Sequence, residues 1–165
     1  MSRYLFPDQS IIRLTLEDLD VLTEMQYAIY PEALAEKKEY LAELFKDEYL
    51  NIGVVMDKKL IGFLLSTREK TETGEDVFID DLGILPEYQG KGLGTMLLDH
   101  LLKLAYGEKM KIGLLSRSTS LPMFAKQKKL MEAGYKVVRR EFLKDAYFEE
   151  YGVHEDIHRI DLEPL

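Results

Sequence analysis

The sequence has no cysteine. That excludes disulfides, thiolate metal sites and a cysteine nucleophile, and it suits a reducing compartment. There is no run of about eighteen apolar residues, the length a membrane-crossing helix requires. The opening stretch MSRYLFPDQS also lacks the basic-then-apolar profile of a signal peptide. A soluble, cytoplasmic protein with no membrane partner is the expectation. Positive charge is scarce as well: 22 Lys and Arg stand against 30 Asp and Glu, a net charge of −8. Backbone phosphates demand a basic footprint that this balance does not supply, so no nucleic acid is expected as a partner. Only three histidines are present. His154 and His158 are four apart, a metal-ligand spacing only on a helix, and the segment reads as loop and strand with no third ligand, so no metal is expected.

What is present is a chain of 165 residues, 46% apolar, long enough for one full core and read as a single domain over residues 1–165. Thr15, followed by Glu17 and Asp18, reads as the N-cap of a helix that carries Leu16, Leu19, Leu22, Met25 and Ile29 at helical spacing. Pro31 opens a second helical segment with Leu34, Leu41, Leu44 and Phe45 inward and Glu36, Lys37 and Lys38 outward. Residues 51–56 and 60–66 read as a hairpin around Asp57, Lys58 and Lys59. The polar stretch from Thr67 to Asp76 is expected to be a long loop. Val77 to Leu85 then reads as a strand, Gly92 to Tyr106 as a helix stopped by Gly107, and Lys111 to Leu115 as another strand. Ser120 and Pro122 mark a helix running to Ala133 with Gly134 as its left-handed stop. Two strands, Tyr135 to Leu143 and about Asp156 to Leu162, follow.

The informative stretch is FIDDLGILPEYQGKGLGTMLLDHLLKLA, from Phe78 to Ala105. A phosphate-binding P-loop needs a lysine and a hydroxyl residue after its last glycine, whereas Thr95 and Met96 follow Gly94. A dinucleotide fingerprint needs G-x-G-x-x-G, whereas Gly90, Gly92 and Gly94 are two apart and Thr95 stands where the third glycine would fall. What remains is a strand, Pro86, then Gln89 to Gly94, then a helix whose free amides and positive dipole end point into the turn. Such a turn receives phosphate oxygens. The glycines admit positive φ and close approach of the backbone, and Lys91 adds charge at the rim.

This stretch resembles the signature of the GNAT N-acetyltransferase superfamily, Q/R-x-x-G-x-G/A after a strand ending in proline. Gln89, Gly92 and Gly94 fill the signature, and Leu82, Ile84 and Pro86 fill the strand. The order of elements along nearly the whole chain is similar too. The resemblance implies an α/β fold, a mixed and mostly antiparallel sheet of about six to seven strands flanked by about four helices. It also implies acetyl-CoA as co-substrate, with Gln89, Gly90, Lys91, Gly92, Leu93, Gly94 and Thr95 cradling its pyrophosphate. The backbone of Leu82 and Ile84 would pair with the pantetheine arm, and the Ile84 amide would face the oxyanion.

Acetyl transfer from a thioester to an amine calls for a base, amide donors and an acid. Two adjacent carboxylates in an apolar strand, Asp80 and Asp81, are costly unless exploited or satisfied. Similar strands in amino-sugar-phosphate acetyltransferases carry acidic residues in the same two places. Alternation sends the pair to opposite faces, with Asp80 the choice for the base and a satisfied structural carboxylate the alternative for its neighbour. The tyrosine that many members place four residues before the Gly-aromatic pair is Leu130 here, ahead of Gly134 and Tyr135. Tyr147 and Tyr151 are candidates for a replacement hydroxyl, and ordinary half-buried tyrosines are the alternative; the thiolate can also take its proton from solvent. Lys126, Lys128 and Lys129 either meet the coenzyme's 3′-phosphate or solvate a helix face. Without a cysteine, direct attack in a ternary complex is expected. Asp80, Asp81, Glu72, Glu75, Asp76, Glu32 and Glu36 suit a cationic acceptor: a polyamine, an aminoglycoside-like compound, or a lysine or N-terminal amine of a peptide. A homodimer is the assembly expected on general grounds. An acyl-CoA-binding sensor without turnover is the rival reading.

Overall fold

Thr15 caps as its sequence context predicts, but on a shorter element. Its Oγ1 accepts from the Glu17 amide at 3.3 Å while its own N–H donates to Asp18 Oδ2 at 2.9 Å, closing a capping box around a 3-10 turn, Leu16–Asp18. Helix α1 follows over Leu19–Ile29 and buries Leu22, Met25 and Gln26. In this computed structural model the described residues are 11–30, 32, 35–46, 51–71, 74–107, 109–117, 134–145, 148–152, 154 and 156–165.

Helix α2 spans Lys38–Leu44, seven residues later than Pro31 suggests. The delay has a cause: the Glu36 amide donates to Gln26 Oε1 at 3.1 Å, and Lys37 is extended at φ −82°, ψ 155°. That bond holds the segment before α2 against α1, and helical backbone begins only after the extended Lys37. Leu41, Leu44 and Phe45 are buried as expected.

The strands are β1 (Ile11–Arg13), β2 (Ile52–Met56), β3 (Lys59–Thr71), β4 (Gly74–Ile84), β5 (Ile112–Arg117), β6 (Tyr135–Leu143) and β7 (Ile157–Pro164). They form one seven-stranded sheet in the order β1-β2-β3-β4-β5-β7-β6. Pairings β1–β2, β2–β3, β5–β7 and β6–β7 are antiparallel, and β4–β5 is parallel over Val77–Ile79. The β2–β3 turn needs no glycine because Asp57 and Lys58 both take left-handed φ, 50° and 64°, as the favoured two-residue hairpin requires. Residues 67–76 are not a long loop: β3 reaches Thr71 and β4 begins at Gly74. A ladder needs only paired backbone groups, and threonines at alternate positions suit an extended ribbon even where apolar residues are absent.

Helix α3 covers Leu93–Gly107. Gly107, expected to stop the helix, is its last residue, and the left-handed conformation falls two residues later. Lys109 is left-handed at φ 56°, with Lys109 N–H donating to the Tyr106 carbonyl and Met110 N–H to the Ala105 carbonyl. The expected helix from Ser120 to Ala133, with Leu130, Lys126, Lys128 and Lys129, lies outside the described residues. Gly134 is left-handed at φ +86°, and a Cβ there would stand 2.8 Å from Tyr106 Cε2. A short helix α4, Phe148–Tyr151, precedes β7.

Contacts divide the chain into two compact units, Met1–Thr67 with Asp81–Leu98 and Arg68–Asp80 with Asp99–Leu165. In the first, Ile11, Leu14, Leu22, Leu41, Ile52, Phe63 and Leu64 are wholly buried or nearly so, and so is Asn51. Asn51 donates from Nδ2 to the Leu44 carbonyl at the end of α2 and accepts on Oδ1 from the Ser66 amide of β3. The second packs Val77, Leu101, Leu102, Tyr135, Ile160 and Leu162.

Candidate active site

Along β4 the parallel pairing with β5 is recorded for Val77–Ile79 and stops before Asp80. The strand then runs through Asp81, Leu82 and Ile84 into a 3-10 turn, Pro86–Tyr88, whose proline sits at the first position. The Leu85 amide donates to the Ile61 carbonyl at 2.9 Å, and Gln89 folds back so that Nε2 donates to the Ile84 carbonyl at 2.9 Å. Gln89 therefore ties the strand end to the loop. Lys91 Nζ lies 5.5 Å from the Tyr88 ring centroid, a cation–π placement that holds the ammonium beside the turn.

Gly90 and Gly92 both have φ +79°, and a Cβ built on either would meet nothing within 4 Å. The turn thus needs glycine for its backbone conformation, and the space beside it is open. The Gly92 carbonyl accepts from Met96 N–H at 3.0 Å, so the amides of Leu93, Gly94 and Thr95 belong to the first turn of α3, where no intrahelical acceptor exists. That turn carries no acidic residue. Positive φ, open space, first-turn amides and the dipole of a fifteen-residue helix make a cradle for an anion.

The two aspartates part company. Asp81 faces α1: Gln26 Nε2 donates to its Oδ2 at 2.6 Å and the Tyr30 hydroxyl donates to its Oδ1 at 2.5 Å. Gln26 is fully buried, and its Oε1 receives the Glu36 amide. Tyr30 Oη also lies 3.2 Å from the Leu82 carbonyl. Asp81 thereby joins α1, the segment before α2 and β4 in a single network. Gly83, two residues on, shares this face, because a Cβ there would press on Phe63 and Ile29. Asp80, half-buried, belongs with Phe78 and Leu82 on the other face of the strand.

Neither Gln26 nor Tyr30 was singled out from sequence. A usable signal existed for Gln26: it sits on the stripe Leu22, Met25, Gln26, Ile29, where a polar residue among core positions requires a partner. Tyr147 and Glu72 lie outside the described residues; Tyr151 is the last residue of α4. Glu32 is exposed in a turn, and Asp76 is half-buried on β4. His154 Nδ1 stands 3.2 Å from Asp145 Oδ1 on the surface. Among the described residues no group of three or more His, Asp or Glu is placed to hold a metal, and no helix is long and apolar enough to cross a membrane.

The same fold recurs in solved structures. The family model described as acetyltransferase (GNAT) family matches residues 16–127. No curated protein matches by sequence. Among solved structures, Arabidopsis thaliana Naa50 in complex with a bisubstrate analogue, CoA-Ac-MVNAL, is similar at 20% identity and TM-score 0.71, covering 92% of this chain and 96% of that one. The ribosomal-protein-S18-alanine N-acetyltransferase of Escherichia coli is similar at 18% identity and TM-score 0.72, with 94% of both chains covered. The loading GNATL domain of CurA from Lyngbya majuscula is similar at 16% and 0.72, covering 93% and 96%. At such identities the likeness speaks for the fold, while the family match spans most of the chain and contains the whole stretch from Phe78 to Ala105. The chain belongs to the GNAT family of acetyltransferases.

Proposed function

We propose that the protein transfers the acetyl group of acetyl-CoA to a primary amine by direct attack in a ternary complex. The observation that carries this reading is the turn itself: two glycines at positive φ with open space beside them, immediately before a long helix free of acidic residues in its first turn. Leu93, Gly94 and Thr95 would present amides to the pyrophosphate, with Gly90 and Gly92 admitting it and Lys91 at the rim. Gln89 sets the strand end, so that Leu82 and Ile84 lie along the pantetheine arm. Acetyl-CoA supplies the acetyl group as an activated thioester.

The residues of the chain do the rest. An amine is nucleophilic only when neutral, so a carboxylate must take its proton directly or through water. Asp80 is assigned that role, supported by its place on the face of β4 opposite the network that Asp81 forms with α1. Asp81 is then a positioning residue that fixes α1 and the segment before α2 against the strand. As acceptor, an N-terminal amine of a peptide is favoured over a polyamine by the company the fold keeps: a bisubstrate analogue with a peptide moiety in one similar structure and an alanine N-acetyltransferase in another.

The test is a thiol-release screen of the protein with acetyl-CoA across peptides, amino acids, polyamines and aminoglycosides. Turnover with at least one amine, dependent on acetyl-CoA and surviving a chelator, is the expected result. Tight coenzyme binding with no release across the panel would favour the sensor reading, for which Leu130 in place of the usual tyrosine is the supporting observation.

A further inference from the structure

The unit formed by Arg68–Asp80 and Asp99–Leu165 contains an arginine laid across its own sheet. In register, Phe78 of β4 pairs with Gly113 of β5, Gly113 pairs with Asp161 of β7, and Arg159 pairs with Leu115. The Arg159 side chain leans back one row. Its Nε donates to Asp161 Oδ1 at 3.2 Å, and its Cζ lies 5.5 Å from the Phe78 ring centroid. Gly113 makes this possible, because a Cβ there would come within 3.2 Å of Arg159 Nη2 and Asp161 Oδ1 and 3.3 Å of Phe78 Cδ2. A glycine in the middle of a paired strand weakens it; here it provides the space in which a guanidinium crosses from β7 to β4.

The guanidinium is held by its inner edge, and the side chain is 31% exposed. Among the described residues its hydrogen bonds run through Nε alone, which leaves the two Nη groups as a planar fork above Phe78. A fork of this kind binds carboxylates with geometric selectivity, more strongly when partly desolvated. Phe78 and Asp80 share a face of β4, two residues apart, and such residues are separated by about 7 Å. The guanidinium over Phe78 therefore lies on the same face of the sheet as the proposed base.

Resting on the acetyltransferase reading above, we propose that Arg159 selects acceptors that carry a carboxylate as well as the reacting amine. The amine goes to Asp80 and the carboxylate to the Arg159 fork. This narrows the cationic acceptor expected from overall charge to a zwitterionic one. Two sources share the chemistry: a free amino acid with its amine several bonds from its carboxylate, and a peptide whose acidic side chain follows its N-terminal residue.

Matched pairs test this. The probes are β-alanine and 4-aminobutyrate against their amides, and Ala-Asp-Ala-amide against Ala-Asn-Ala-amide. The wild type should prefer the carboxylate member of at least one pair, and which pair identifies the source. Arg159→Gln should raise KM for that member about ten- to hundredfold, the worth of a charge-assisted hydrogen bond, with kcat, acetyl-CoA affinity and the amide member little changed. Gly113→Ala, which crowds the fork without removing it, should do the same more weakly, and Arg159→Lys should recover part of the loss. Equal use of every pair by the wild type, or a preference that survives Arg159→Gln in a folded variant, overturns the proposal. Calorimetry of the same pairs on CoA-loaded protein reads the preference independently of turnover, and absence of any carboxylate preference in binding overturns it as well. Thiol release with polyamines alone would leave the acetyltransferase reading standing while sinking this one.

Discussion

The two compact units differ in which polar groups they bury. Met1–Thr67 with Asp81–Leu98 holds Gln26, Asn51 and Ser66 in its interior, tied to Asp81, to the end of α2 and to β3. Arg68–Asp80 with Asp99–Leu165 buries His100 and the Tyr135 phenol instead, and both units carry exposed or half-exposed ion pairs, Lys38 with Asp20 and Lys46 with Glu43 in the first and Lys103 with Asp99, Lys111 with Glu163 and Arg139 with Glu141 in the second. Exposed pairs contribute little because water screens them and long side chains lose entropy to form them. A buried amide is different: unsatisfied, it costs about 1–3 kcal/mol, so its partners are fixed. The first unit therefore carries a rigid polar frame, and that frame ends at Asp81, one residue from the proposed base. The lesson is that adjacent aspartates on one strand can have separate duties.

The strongest way to break that contrast is Asp80→Asn. Turnover should fall roughly a hundredfold to ten-thousandfold, the range for a positioned base, with acetyl-CoA affinity by calorimetry unchanged. Near-normal turnover would mean that the roles of Asp80 and Asp81 are reversed.

Asp81→Ala should act first on stability. It strips the acceptor from the fully buried Gln26 Nε2, at a cost of about 1–3 kcal/mol, while the Tyr30 hydroxyl keeps the Leu82 carbonyl 3.2 Å away. Denaturant unfolding reads the loss. Asp81→Asn, which keeps one acceptor oxygen, should cost less. Equal stability of Asp81→Ala and wild type would dissolve the frame.

A smaller effect belongs to Tyr135, which is fully buried and donates its hydroxyl to the Met110 carbonyl at 2.8 Å. Tyr135→Phe should cost about 1 kcal/mol. Burial, with Tyr106 beside it, pushes the Tyr135 phenol well above its ordinary value of 10.0. Below about pH 10 the phenol is neutral in both folded and unfolded chains, so its contribution is intact. At higher pH the unfolded chain ionises first, and this stability is lost as pH rises through the folded value. Unfolding titrations from pH 8 to 11 should show alkaline loss that is smaller in Tyr135→Phe.

Much of this arrangement is legible in sequence where local chemistry decides it. The limits of β6, Tyr135–Leu143, follow from a left-handed glycine and an apolar run, and the glycine turn follows from spacing alone. β1 was not foreseen because three residues, Ile11–Arg13, give too short a pattern and owe their extension to β2. Residues 67–76 read as a loop because their polar composition hides the extended backbone of residues 67–71 and 74–76, which only a partner strand reveals. The start of α2 and the partners of Asp81 depend on contacts far apart in sequence, 55 residues for Gln26 and 51 for Tyr30. The alternation of Asp80 and Asp81 needed no such contact and could be read directly.

The central claim is that the turn at Gln89–Thr95 cradles the coenzyme's pyrophosphate, and Gly92 tests it most directly. Acetyl-CoA should be titrated calorimetrically into the wild type, Gly92→Ala and Gly92→Val, with thermal melting to check that each is folded. A Cβ at Gly92 meets nothing in the protein itself, so the fold should survive at a backbone penalty of about 1–2 kcal/mol for left-handed φ. Coenzyme binding should weaken in the alanine variant and vanish in the valine variant. Unchanged affinity in a folded Gly92→Val would contradict the account.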